Sequence, residues 1–539
     1  MKKNIILFIV SISLGLFSFS SCTDGFDNMN DDPYNPKEED YDFSKVDLGA
    51  ALRYGSNLDY ITGNGGLAGG GDLFDRIKNN CWEPWAQYFV GGATPQNGWV
   101  DAYWKANYAT WMSLLNGVIR DAALYPNREN SEAIARIWRV YMLSTFSDFF
   151  GPVPFSEDPT EENPDYMSVE DLHTIFFKDL EHSVDLFVPG PTMVTSEDFI
   201  FGGNILKWQK FANTLRFMLA IKISEVDQTK AIAEMKKSLS HPAGLISNPD
   251  DDVLGRWYDS WQNGPAYGGL TWNKYPMTST MEKMITGIGG IQYTGTATGI
   301  KPSHVDPRGQ LWYDPSNQGS NFQGANVAPI SYDVNTISWI SNLIKADNRR
   351  PLDQLTYTEI CFFLAEAVHR GFVTAGEAGG DDKSWYEAGV RASFSRWGVS
   401  AYVDEYLAST AQNKWGTSAN YDDTNGNGNG NTKLEKIVTQ RYLGLFTDLS
   451  YHAWNDKRRL NLPAMDIPEY QNTSIGNWPK DGNIKNPLNY FQRGFYPQDE
   501  KMNNVEKYNA GVAKLGGEDN VTTPLWWASK KANYCTSTK

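Results

Sequence analysis

The sequence predicts a mainly α protein: a scaffold of paired helices, loop-rich regions packed on it, and few short strands. Three observations predict this. Long segments repeat apolar residues every three or four positions. Several of these mix large aromatics with small residues that would let a neighbouring helix approach. Two stretches, about 247–342 and 463–539, lose the period and fill with Gly, Pro, Asn and Tyr.

Taken in order, the chain opens with Met1, Lys2 and Lys3 and a mostly apolar run from Ile5 to Phe19. That run is too short to cross ~30 Å of hydrocarbon comfortably and reads as a signal peptide over residues 1–21. Small residues Ser20 and Ser21 precede Cys22, the arrangement of a lipobox whose cysteine is acylated, although Phe19 stands where Leu is usual. Residues 22–44 are polar and acidic, a flexible tether. From residue 45 to 539 a single domain is expected, with helical scaffold at about 45–246 and 343–462 and the loop-rich parts between and after.

Within the scaffold, Ile134, Ile137, Trp138, Tyr141 and Met142 define one buried helical face, and Trp208, Phe211, Ala212, Leu215, Met218 and Leu219 another. A third helix starts at Thr356, with Glu359 at capping-box spacing, and stops at Gly371. Residues 385–397 and 434–446 add two more. Small residues in Leu364-Ala365-Glu366-Ala367 and Ala388-Gly389 favour close helix contacts, although no period of about 34 residues is visible.

Composition narrows the function. A net charge of −16 argues against phosphate backbones and anionic lipid, so nucleic acid is excluded as a partner. Aromatic residues reach 14%, with 19 Trp, and an exposed indole is a platform for the apolar face of a sugar ring. Most such residues are nonetheless core. There is no GxSxG, HExxH or P-loop, and Gly63 to Gly71 is a loop rather than a phosphate cradle. The six histidines are scattered and read as structural or solvated. After Cys22 the remaining cysteines, Cys81, Cys361 and Cys535, form no disulfide framework or zinc spacing, and Cys361 reads as core. From Asp423 the Asn/Gly run places oxygens as an EF-hand would, but its twelfth position is Leu434; a low-complexity linker fits better. No catalytic residue, metal ligand or cofactor is assigned.

A set of motifs in fixed order then resembles the SusD/RagB family of surface nutrient-binding lipoproteins. It runs from Cys22 and Asp32-Pro33-Tyr34-Asn35-Pro36 through Ser147-Asp148-Phe149-Phe150-Gly151-Pro152-Val153-Pro154-Phe155 and Phe201-Gly202-Gly203-Asn204 to Lys207-Trp208-Gln209-Lys210-Phe211. It continues with Leu355-Thr356-Tyr357, Leu364-Ala365-Glu366-Ala367, Gln440-Arg441-Tyr442, Trp454-Asn455-Asp456-Lys457-Arg458-Arg459, Arg493-Gly494-Phe495-Tyr496-Pro497 and Leu525-Trp526-Trp527. The resemblance implies tetratricopeptide-like helix pairs, an outer-membrane location through the Cys22 lipid, no enzymatic activity, and delivery of oligosaccharides to a SusC-like TonB-dependent transporter. It implies architectural roles for Trp208, Asn213 and Arg216 and a turn at residues 151–154.

The motifs do not fix the ligand contacts. Aromatics in the loop-rich segments are the candidates: Trp82, Trp85 and Trp99 near the glycine-rich loop, and Trp257, Trp261, Tyr267 and Trp272 in the middle region. Two other readings stay open. A peptide-capturing member of the same family would use a deeper cleft, and a surface glycoside hydrolase would need two carboxylates about 5–10 Å apart.

Overall fold

Helices dominate the computed structural model, which describes residues 48–55, 77–91, 98–189, 198–255, 275–294, 304–316, 322–327, 332–346, 350–423, 425–468 and 490–538. Cys22, the residues before it, the 22–44 tether and Gly63 to Gly71 lie outside the described residues.

The first part stacks α1 (Leu48–Gly55), α2 (Gly98–Ala106), α3 (Ser113–Ala122), α4 (Glu129–Phe150), α5 (Val169–Leu186), α6 (Ile205–Lys222) and α7 (Gln228–Ser240). Each of α3 to α7 packs on its sequence neighbour. Side chains start them: Ser168, Asn204 and Asp227 accept the backbone N–H three residues on, satisfying a donor the first helical turn leaves open. The expected tie residues span the stack. Trp208 donates its indole N–H to Asp198 (2.8 Å), Asn213 reaches the Gly244 carbonyl (3.1 Å), and Arg216 joins Glu234 on α7 (2.6 Å) to Glu181 on α5 (2.9 Å). Helix α4 ends at Gly151 (φ +95°), where a Cβ would lie 2.9 Å from Leu515 Cδ1. The chain then turns into β1 (Val153–Pro154), antiparallel to β2 (Tyr166–Met167).

The second part is built from α9 (Tyr357–His369), α10 (Asp382–Arg396), α11 (Lys433–Gly444) and α12 (Ser450–Leu460), with α8 (Ser279–Ile285) before them. Helices α10 and α11 pack on α9, and α6 touches α9 as well. Gly389 explains the close approach: a Cβ there would sit 2.7 Å from the Phe362 ring. Glu366 on α9 binds Arg441 of α11 (3.1 Å) and Arg459 of α12 (2.8 Å), and Asp456 closes the ring on Arg441 (2.6 Å), all buried. Two further short ladders lie outside the helices. Strand β3 (Val253–Gly255) pairs antiparallel with β6 (Leu352–Leu355), and β4 (Tyr313–Asp314) with β5 (Trp339–Ile340).

Three expectations change in detail. The Thr356 box is half made: Thr356 accepts from Glu359 N (3.3 Å), but the Glu359 carboxylate is spent on buried His452 (3.0 Å). Complete boxes form instead at Thr374/Glu377 and Thr432/Glu435. The Asn/Gly run is not a loose linker. Asp423 accepts from Ser418 (2.7 Å) and Asn431 (3.1 Å), and the Lys436 ammonium donates to Ser418 (2.7 Å) and Asn431, so these oxygens are already engaged. The C-terminal stretch read as loop contains α13 (Val505–Leu515), packed on β2, where Gly511 leaves room for the Tyr166 ring.

A candidate ligand-binding surface

The described part of the middle region contains a small irregular sheet. Residues 275–278 run between two other stretches: Ile340 N donates to Tyr275 O (3.0 Å), Met277 N to Ser338 O (2.8 Å), and Ala325 N to Met277 O (3.0 Å). Val90 N donates to Pro276 O (2.9 Å), joining the segment after Trp85 to the opposite edge of the strand. Chain crossing is tight here, since a Cβ on Gly324 would lie 2.1 Å from the Thr278 carbonyl oxygen. One face is core: Tyr275 and Tyr313 pack around Phe89 and Phe446, with Met277 and Ile340 buried beside them.

Trp339 of β5 is half-buried, the turn before it exposes Tyr332 (38% exposed) and Val334, and Ile467 is exposed as well. The Trp339 indole N–H donates to Val334 O (3.1 Å), which fixes the ring. Partial burial raises the Tyr332 hydroxyl above the ordinary tyrosine range, so it stays a protonated donor at neutral pH. Asn326 donates to Ile467 O (3.1 Å). Charges nearby are paired: Lys414 with Glu282 (2.6 Å), and Lys283 with Asp466, its ammonium 4.7 Å from the Trp415 ring centre. Aromatic and amide groups with balanced charge suit a neutral, hydroxyl-rich ligand better than an anion. Among the described residues no group of three His, Cys, Asp or Glu side chains could hold a metal.

Two sequence candidates are corrected. Trp82 and Trp85 have no exposed surface. A π-helical turn over Lys78–Trp82 leads into the short helix Glu83–Trp85, and both indoles turn inward. Trp85 lies parallel to Phe149 and Phe491, each 5.5 Å away between ring centres, and Trp82 meets Tyr103 edge-on at 6.0 Å. They are core residues. Trp99 is half-buried at the start of α2, packed against the core. Trp257, Trp261, Tyr267 and Trp272 lie outside the described residues, between Gly255 of β3 and Tyr275 of the sheet. Sequence reading missed Trp339, Tyr332 and Asn326. The Pro276-Met277-Thr278-Ser279-Thr280 run, an extended stretch entering a capped helix, is the signal that could have located the sheet.

A stack of helix pairs carrying a loop-built face is the architecture of a helical-repeat binding scaffold. The chain belongs to the SusD-like family, described as Susd and RagB outer membrane lipoprotein, whose model matches residues 72–528. A SusD homolog from Parabacteroides distasonis is 35% identical, with 92% of this chain and 100% of that chain covered and a TM-score of 0.82. A SusD homolog from Bacteroides vulgatus is 24% identical over 92% of this chain and 100% of its own, TM-score 0.73. A chitin-binding SusD homolog from Flavobacterium johnsoniae is 22% identical over 89% and 98%, TM-score 0.68, a likeness of fold. Comparison with curated proteins returned no match. Among the described residues no helix is long and apolar enough to cross a membrane.

Proposed function

We propose that this chain is a surface lipoprotein, anchored through an acylated Cys22, that binds oligosaccharides and passes them to a SusC-like TonB-dependent transporter without catalysing a reaction. Membership of an outer-membrane lipoprotein family supports the location. The observation that carries ligand binding is the half-exposed Trp339 of the irregular sheet, its indole held by the Val334 carbonyl. The chitin-binding relative makes carbohydrate the first class to test. Trp257, Trp261, Tyr267 and Trp272 lie outside the described residues and remain proposed contacts, as does Trp99. Modest affinity from such a platform suits a protein that must release its cargo.

Incubation of the purified chain with malto-, cello-, xylo-, manno- and chito-hexaose tests the reading. Saturable binding without new reducing ends supports it; new reducing ends would identify a hydrolase. Binding of peptides and of no glycan would move the chain to the peptide-capturing branch. A Trp257→Ala/Trp261→Ala variant that folds and binds as wild type would remove those two residues from the site. Fatty-acid labelling of cells should mark the wild-type chain and not Cys22→Ser.

A further inference from the structure

Gln87 is an unusual residue in an unusual place. It has no exposed surface, and its backbone sits at φ +57°, a region that glycine and asparagine enter easily and glutamine rarely. A residue held there at a cost points to a constraint that its side chain meets.

Its bonds show what that constraint is. The amide Nε2 donates to the Asp466 carbonyl (2.7 Å) and to the Tyr490 hydroxyl (2.9 Å). The amide Oε1 accepts from Thr280, and the backbone carbonyl accepts from Thr278 and from Tyr442 (3.1 Å). Tyr490 in turn donates to Trp85 O (2.7 Å), and Asp466 N donates to Thr280 Oγ1 (2.9 Å). The side-chain amide thus joins three distant stretches, the start of α8 at Thr280, the chain before Ile467 at Asp466, and the C-terminal part at Tyr490, while the Gln87 backbone carbonyl holds Thr278 at the end of the sheet strand. Asn326 and Trp339 ride on strands bonded directly to that sheet strand, and Ile467 follows Asp466.

We infer that Gln87 is the positioning residue of the ligand-binding surface, holding the sheet that carries Trp339 and Asn326 in register with the Asp466–Ile467 stretch. Its consequence for ligands rests on the binding reading above; its effect on the sheet does not. The geometry distinguishes it from an ordinary turn residue. As a turn residue, glycine would replace it freely and relax the backbone. As a positioning residue, glycine removes every side-chain bond. Glutamate keeps the shape and the Thr280 contact but sets a carboxylate against the Asp466 carbonyl and loses both donors.

The test uses the full-length chain as wild type, Gln87→Gly, Gln87→Glu and Tyr490→Phe, with hydrogen exchange and calorimetry against the five hexaoses. In both Gln87 variants the amides of Met277, Ser279, Ala325 and Ser338 should exchange at least about tenfold faster while those of α4 and α5 keep their protection. Tyr490→Phe, which removes one acceptor, should give a smaller change at the same amides. Affinity for whichever hexaose binds wild type should fall about tenfold or more in Gln87→Glu. Wild-type protection in Gln87→Gly, or loosening spread evenly over the helices, overturns the inference. Selective loosening with unchanged affinity overturns its link to the ligand. If wild type binds none of the five sugars, the glycan reading fails by itself, and exchange alone decides the role of Gln87.

Discussion

Replacing Glu366 by glutamine should destabilise the helical body severely. The carboxylate is fully buried and meets Arg459 (2.8 Å), Arg441 (3.1 Å) and Arg370 (3.2 Å); Asp456 and Glu225 supply the other negative charges around these guanidinium groups. The set pairs Glu366, Asp456 and Glu225 with Arg370, Arg441 and Arg459, so removing one carboxylate strands a positive charge where water cannot reach it. Although burial alone would raise it, the three arginines hold the Glu366 carboxyl well below the usual carboxylate range, so it is ionised at neutral pH. Breaking a buried pair from one side costs about 3–5 kcal/mol. That is a large share of the roughly 5–15 kcal/mol by which proteins are stable. Urea titrations of Glu366→Gln and wild type, followed by tryptophan fluorescence and far-UV circular dichroism, measure the difference. The depressed carboxyl contributes above its unfolded value of about 4.3, and its contribution fades as pH falls below that. The gap between wild type and variant should therefore hold from pH 8 to 6 and narrow in acid. A loss under about 1 kcal/mol at pH 7, or a gap that widens in acid, would refute a closed network.

Burial, reinforced by the Asp353 carboxylate, pushes the Asp252 carboxyl up to about 7. Its raised value favours folding at low pH, a contribution lost as pH rises from about 4 through 7, so Asp252→Asn should flatten that decline and melt higher than wild type above pH 7. The Asn oxygen can still accept from Tyr357 N, as Asp252 does at 2.6 Å. Gly494→Ala places a Cβ 2.2 Å from the Phe149 ring and should lower stability by about 1–3 kcal/mol in a urea titration. Trp339→Ala should leave the melting temperature nearly unchanged yet weaken hexaose binding roughly fivefold, the loss of about 1 kcal/mol of ring contact. Gly324→Ala, which drives a Cβ into the Thr278 carbonyl, should weaken the same binding more than it shifts the far-UV spectrum.

Helices were legible because their signals are local. The residues around Ile134, Trp208, Leu364 and Ile437 recur on a helical period, and α4, α6, α9 and α11 form where that period lies. The Ala388-Gly389 pair announced a close approach that the Phe362 ring occupies. The loop-rich middle was also legible as a region, but α8 and α13 were not. Each is short, and its apolar residues serve contacts with distant chain rather than a long face of its own.

What the sequence by itself determined is therefore the class of fold, the order of its helices and the family to which the chain belongs. Which aromatics face outward was decided by tertiary structure. Trp85 and Trp339 stand in comparably irregular surroundings, yet one is closed between Phe149 and Phe491 and the other is left half open, pinned by a single carbonyl. Exposure depends on residues that come from far along the chain, and the Gln87 contacts, at separations from 191 to 403 residues, show the same dependence in polar form. Local pattern records the propensity to form a helix; only the folded chain brings together the groups that bury one indole and leave another in water.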